Sequence, residues 1–169
     1  MALALPGVFI RDARPEDAAT IVRFNLELAW ETERKRLDED VIARGVEAAL
    51  ADPARLRYWI AEIDGQIAGQ AAITREWSDW RNGWIWWFQS VYVDHAWRRL
   101  GVFKELHGRI RAIAAGEPDV VGLRLYVEED NARAKKTYES LGMRHGGYAV
   151  YEELWIDPEL KQAAAAPNE

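Results

Sequence analysis

From Trp84 to Val93 the chain runs Trp-Ile-Trp-Trp-Phe-Gln-Ser-Val-Tyr-Val, ten residues without a charge, a Gly or a Pro. Side chains alternate between the two faces of a strand, so a run this apolar and this bulky reads as a strand at the centre of a sheet. It ends at Asp94. The remainder of the 169-residue chain must supply a core around that strand, and 49% hydrophobic with 30% charged residues is enough for one well-packed domain. Wholesale disorder is ruled out on the same grounds.

Val8 to Arg11 reads as a short first strand. Arg14-Pro-Glu-Asp17 then starts a helix, with Pro in the first turn and carboxylates that suit the dipole, and Ala18, Ile21, Phe24 and Leu28 follow at helical spacing. A charge-rich, exposed stretch from Trp30 to Leu37 leads to a second helix from Asp38, with Val41, Ile42, Val46, Ala49 and Leu50 on its apolar side, which stops near Asp52-Pro53. Arg57–Ile63 and Gln66–Thr74 are β-rich and joined by Asp64-Gly65, a dipeptide suited to a tight hairpin turn. Trp77 to Gly83 is expected to be a polar, aromatic loop. After the apolar strand, Phe103, Leu106, Ile110 and Ile113 trace a helix ended by Gly116 and Pro118. Val120–Val127 reads as a strand and Asn131–Leu141 as a helix closed by Gly142, with a last strand at Tyr148–Trp155. The order β-α-α-β-β-β-α-β-α-β predicts a mixed α/β domain over residues 1–158, with 159–169 a flexible tail.

Twenty-two basic against 28 acidic residues give a net charge of -6, which disfavours a nucleic-acid reading built on the Arg98–Arg111 stretch. The chain has no cysteine, and three scattered histidines offer no ligand spacing, so no metal is expected. Met1 to Gly7 lacks a basic region and is cut by Pro6, and no run approaches the ~18 apolar residues of a membrane span. The expectation is a cytoplasmic protein with no membrane partner.

Two stretches carry chemistry. In Gln89–Lys104 the apolar strand passes through a basic, Gly-containing turn into a helix, whose N-terminal amides and partial positive charge suit a phosphate. Arg98, Arg99 and Lys104 add charge there. In Leu125–Met143, Asn131 stands at a helix entrance and Tyr138 two turns later, so both can face one groove. Together the stretches resemble the GNAT superfamily of N-acetyltransferases. That family carries Arg/Gln-x-x-Gly-x-Gly/Ala in the first and Asn-x-x-Ala-x-x-x-Tyr-x-x-x-Gly-Phe in the second. Arg98 and Gly101 match the first, with Phe103 where Gly or Ala is usual; Asn131, Ala134, Tyr138 and Gly142 match the second, with Met143 for Phe. Within the family the chain most resembles the spermidine/spermine acetyltransferase branch, through Ile10–Asp17, Glu27-Leu-Ala29 and Gln89–Val93.

The resemblance implies an acyl-CoA N-acyltransferase fold, a mixed sheet of about six to seven strands flanked by about four helices. It implies acetyl-CoA as cosubstrate and direct transfer of its acetyl group to the primary amine of a small molecule, polyamine-like or amino-acid-like. Val91, Tyr92 and Val93 would lie along the pantetheine arm, with the Val91 amide as a small oxyanion hole. Arg98, Arg99, Leu100, Gly101, Val102, Phe103 and Lys104 would surround the pyrophosphate, with Asn131 and Ala134 also on the coenzyme side and Tyr138 as general acid. Similar proteins are often dimers, so a homodimer is expected by analogy. The alternative is a degenerate domain that binds acetyl-CoA as a ligand or sensor without turnover.

An alkyl amine, with a pKa of ~10.4, must lose a proton before it attacks. The related branch has a carboxylate pair where this chain has Gln89 and Ser90, and neither can accept that proton. Glu31 or Glu33 is therefore expected to act as a remote base through water, with Gln89 positioning the water. The acceptor pocket is expected between Trp30 and Glu31 on one side and the Trp77, Asp79, Trp80 loop on the other, rings flanking a cation that carboxylates hold.

Overall fold

The structure is a computed structural model that describes residues 7–156. Asp64 and Gly65 both take left-handed backbone, φ 51° and 76°, as a two-residue hairpin requires. They join β2 (Arg57–Ile63) to β3 (Gln66–Ser78). β1 (Phe9–Asp12) lies antiparallel on the outer side of β2, and β4 (Gly83–Val93) lies antiparallel to β3. β5 (Val120–Leu125) returns parallel to β4, giving a five-stranded mixed sheet in the order β1-β2-β3-β4-β5 among the described residues. The apolar run is thus an inner strand, paired on both sides over its first half.

α1 (Ala18–Glu33) and α2 (Glu39–Ala51) cover one face of the sheet, where Ile21, Val22, Val46 and Ala49 meet Tyr58, Ile60 and Ala72. α3 (Val102–Gly116) covers the other, where Leu106, Ile110 and Ala114 meet Trp59, Ile73, Trp86 and Phe88. Burial on both faces is why β4 tolerates so many large apolar residues. Asp38 caps α2 by accepting from the amides of Asp40 and Val41 at 2.9 and 3.2 Å, the role its place before the helix predicts. Asp17 has a different task from the dipole partner expected. It is buried and ion-paired to Arg11 at 2.7 Å, and Arg11 also reaches Glu62, tying β1 to β2 and to the turn before α1.

Two expectations are corrected. Trp77 is no loop residue: β3 continues to Ser78, Trp77 pairs with Trp84, and their rings stand 5.1 Å apart edge to face. The connection shrinks to Asp79–Asn82, closed by left-handed Asn82 at φ 48°. Cross-strand aromatic contact has extended the hairpin beyond what local polarity suggests. The strand expected at Tyr148–Trp155 does not form, so the described residues hold five strands where six to seven were expected. Tyr148, Tyr151 and Trp155 are 76%, 96% and 88% exposed. Their β-propensity finds neither a paired neighbour nor a face to cover, and propensity without those does not make a strand. α4 (Ala132–Ser140) does form, with Asn131 as its cap. The expected tail at 159–169 lies outside the described residues.

Candidate functional site

The site begins where β4 and β5 part. Their parallel ladder ends at Phe88–Leu125, yet β4 continues to Val93, leaving a gap between the strands. On its other edge β4 keeps pairing with β3, but the register shifts: Ala72 faces Gln89 and Gln70 faces Tyr92. Two residues of β4, Ser90 and Val91, therefore stand opposite Ala71 alone, a bulge, and Ser90 takes a left-handed φ of 48°. Beyond the bulge the Asp94 amide donates to Ala68 of the neighbouring chain segment at 2.9 Å. Backbone groups alternate sides along a strand, so those of Val93 and Val91 turn the other way, into the gap. The Val93 carbonyl is taken by Arg98 Nε at 2.9 Å, and the same alternation turns the Val91 amide toward the gap.

The gap opens toward the start of α3. Gly101 is its N-cap at φ 77°, a conformation suited to glycine, and a Cβ there would meet nothing within 4 Å, so backbone geometry rather than crowding selects the residue. The first intrahelical bond runs from the Glu105 amide to the Gly101 carbonyl, which leaves the amides of Val102, Phe103 and Lys104 at the open helix end. Arg99 and Lys104 are exposed beside them, whereas Leu100 packs against the core and Val102 is buried in it. An open, basic helix end next to backbone donors can hold a diphosphate.

Phe103 fills no part of that helix end. Its ring packs 6.4 Å from Phe88, 6.0 Å from His107 and 5.6 Å from Tyr138, the last edge to face. Phe88 is the last paired rung of β4, so this chain of rings fixes Tyr138 beside the mouth of the gap. Burial pushes the Tyr138 hydroxyl above its ordinary pKa, keeping its proton in place at neutral pH. Asn131 accepts from the Ala134 amide at 3.0 Å, so this pair builds the helix entrance that carries Tyr138.

Glu31 and Arg98 are partners. Arg98 Nη2 meets Glu31 at 2.6 Å, and the single hydrogen of the Tyr92 hydroxyl is shared between Glu31 at 2.8 Å and Glu27 at 2.9 Å. Burial raises the Tyr92 pKa, and the two carboxylates raise it further. Burial by itself would raise that of Glu31, but the hydrogen bonds from Tyr92 and Arg98 bring it below its ordinary value. A carboxylate with both oxygens engaged and a depressed pKa is a poor proton acceptor. Glu33, the other candidate, is at the surface beside Lys35 at 2.9 Å. Glu31 is thus held by two partners, while Glu33 lies at the surface.

The expected acceptor pocket is also not assembled. Trp77 pairs with Trp84 while Glu31 bonds Tyr92, and those two β4 residues are eight apart, about 26 Å along a strand. The Trp77–Trp84 contact moreover lies on the α3 face, and Glu31 belongs to α1 on the other. Trp80 is 85% exposed, and Asp79 accepts from the Trp80 amide within the turn. The Trp30 ring already carries Arg34 and Arg36 at 5.6 and 5.2 Å. Gln89 lies on the α1–α2 face beside the bulge, with Thr74 at 3.4 Å.

On that same face the structure gathers residues outside the expected acceptor pocket. Trp87 and Tyr126 meet with ring centres 4.5 Å apart and their planes tilted by 35°, and Glu76 accepts from Trp87 Nε1 at 2.6 Å and pairs with Arg124 at 3.2 Å. Gln70, completely buried, donates to Asn25 at 2.8 Å and to the Ser90 carbonyl at 3.1 Å. Its signal was available: a single amide in the otherwise apolar run Ile67–Ile73. No group of three metal-ligating side chains occurs among the described residues, and no helix among them is long and apolar enough to cross a membrane.

The family model for the acetyltransferase (GNAT) family matches residues 21–143. The crystal structure of a possible acetyltransferase from Clostridium difficile 630 superposes with a TM-score of 0.82, is 46% identical, and is matched over 99% of its length and 89% of this chain. Mycothiol acetyltransferase of Corynebacterium aurimucosum is 32% identical over 138 residues, which cover 78% of this chain but 44% of that protein, so the chain spans less than half the length of this curated relative. A predicted acetyltransferase from Clostridium acetobutylicum, solved with acetyl-CoA, shares the fold at a TM-score of 0.71 and 18% identity, over 87% of this chain and 96% of that one.

Proposed function

This chain belongs to the GNAT acetyltransferase family, and from that premise we propose that it transfers an acetyl group from acetyl-CoA to the primary amine of a small molecule. The observation that carries the reading is the gap beyond Phe88–Leu125, into which the Val91 amide points and at whose end α3 begins. Acetyl-CoA supplies an acetyl group activated by its bond to sulfur. The residues present fit it: the strand edge at Val91, Tyr92 and Val93 lines a slot for an extended arm, and the open amides of α3 with Gly101, Arg99 and Lys104 suit a diphosphate.

The Val91 amide then donates to the acetyl oxygen as negative charge builds on it, and being fixed in advance it needs no reorganisation to do so. Tyr138, held by Phe103 and still protonated at neutral pH, donates to the departing thiolate. Arg98 is committed to Glu31 and to the Val93 carbonyl, so its work is to hold α1 against the end of β4 rather than to bind phosphate. The amine approaches on the α1–α2 face, its body against Trp87 and Tyr126 and its nitrogen toward Gln89 and Thr74. With Glu31 engaged, the proton of the incoming ammonium leaves through water to solvent.

A panel of amines assayed for release of free coenzyme A, beside calorimetric titration with coenzyme A itself, tests the reading. Turnover with at least one primary amine is the expected result. Binding without turnover across the panel would replace the enzyme by a coenzyme sensor, and no binding would remove the slot assignment.

A further inference from the structure

We infer that Gln70 is a positioning residue for acetyl transfer: it fixes the orientation of the Ser90–Val91 peptide and so aims the Val91 amide. The inference deepens the proposed function and rests on the role given there to that amide.

The starting point is the bulge. Where two residues face one, a backbone carbonyl loses its ladder partner, and inside a protein such an orphan costs free energy unless another donor takes it. Gln70 Nε2 takes the Ser90 carbonyl at 3.1 Å and gives its other hydrogen to Asn25 Oδ1 at 2.8 Å. The amide cannot be turned over, because the Ser90 carbonyl only accepts and would then face Oε1. Asn25 is anchored in turn, donating to the Tyr58 hydroxyl at 3.2 Å, so the support reaches from α1 and β2 to the bulge.

Peptide planarity converts this contact into a functional one. The Ser90 C=O and the Val91 N–H belong to one trans peptide unit and point in opposite directions. With the carbonyl held down against Gln70 on the α1–α2 face, the Val91 N–H is held away from Gln70. Without that hold, the left-handed φ of 48° at Ser90 is an expensive conformation for a non-glycine residue, and the peptide is free to leave it. A second observation agrees. Gln70 is 0% exposed and its Oε1 has no partner among the described residues, so the position keeps a buried, half-satisfied amide where an apolar side chain would pack without that cost. Packing alone does not account for a glutamine there; orientation of Ser90 does.

Gln70→Leu keeps the volume and removes the donor. The expected result is a folded protein whose coenzyme A affinity, by calorimetry, and KM for acetyl-CoA stay within about threefold of the parent while kcat falls by about ten- to a thousandfold, the range for losing or misaiming an oxyanion donor. Its crystal structure, free of ligand, should show the Ser90–Val91 peptide rotated or in two orientations. A kcat within about twofold of the parent overturns the inference, and so does an unchanged peptide in the crystal, whatever the kcat. Should Gln70→Leu fail to fold, Asn25→Ala removes the second anchor of the same amide and must give the same split between kcat and KM to a smaller degree; an equal loss in both, or none, overturns it. If the parent protein neither binds coenzyme A nor turns over, the functional reading fails by itself, while the peptide orientation in the variant still decides what Gln70 holds.

Discussion

The two halves of β4 share one uncharged strand, yet they do different work. Gly83–Phe88 is paired on both edges and sends Trp84, Trp86 and Phe88 into the core beneath α3. Gln89–Val93 is paired on one edge only, carries a bulge, and is held from below by Gln70 and Tyr92 through hydrogen bonds to side chains of α1. The first half is stabilised by apolar burial, which is non-directional, together with backbone pairing on both edges. The second is stabilised by directional bonds, which is how a backbone amide can stay unpaired and aimed. An unpaired strand edge inside a domain costs stability, and this chain places it next to a half-strand that supplies plenty.

Substitutions should separate the halves. Phe88→Ala, in the fully paired half, should cost ~3–5 kcal/mol by leaving a cavity under α3, seen as a large fall in the denaturation midpoint. A loss under about 1 kcal/mol would mean that this half is not the structural one. Tyr138→Phe should leave the midpoint nearly unchanged and lower kcat by roughly ten- to a thousandfold with coenzyme A affinity retained. Phe103→Ala should reproduce part of that loss by freeing the Tyr138 ring; unchanged kcat in both variants means that thiolate departure needs no help or that product release is limiting.

At the helix end, Gly101→Asp should weaken coenzyme A binding at least about tenfold, since it sets a negative charge against the diphosphate at a left-handed position. Gly101→Asn tolerates the same φ without the charge and should lose far less, so equal losses in the two variants would point to backbone strain instead. Glu31 offers a test by pH. Its folded pKa is depressed below the ordinary 4.5, so the stability it lends is complete above that value and drains away as pH falls through the folded value. Glu31→Gln should therefore lose stability at neutral pH and show a shallower acid decline, while the apparent pKa on the acid limb of kcat/KM stays put; movement of that limb would restore Glu31 as the base. The smallest effect is expected of Ser90→Gly, which accepts φ 48° without strain and should change stability by under about 1 kcal/mol with kcat kept.

The order of elements was legible because each rests on local rules. Asp64-Gly65 can turn only a hairpin, Asp38 precedes an amphipathic helix it can cap, and Gly101 follows a strand and precedes a helix. The coenzyme side of the site is local in the same sense, a strand, a turn and a helix start in sequence. The acceptor side is not. Trp30, Trp77 and Trp80 share a residue type, and nothing in their spacing tells that a sheet separates them or that two arginines already cover the Trp30 ring. Likewise Tyr148–Trp155 has the pattern of a strand but no strand partner among the described residues.

What the sequence alone determined, then, was the fold family, the inner strand and the helix end that follows it, because hydrophobic period, turn chemistry and capping act over a few residues. Only the tertiary structure decided that Glu31 is spent on Tyr92 and Arg98, that the Phe103 ring packs against Tyr138, and that Gln70 lies under Ser90. These contacts join residues from 20 to 67 positions apart for the hydrogen bonds. A hydrogen bond acts over about 3 Å and only along its own direction, so partners distant in sequence are fixed by how the helices dock on the sheet and not by any local pattern.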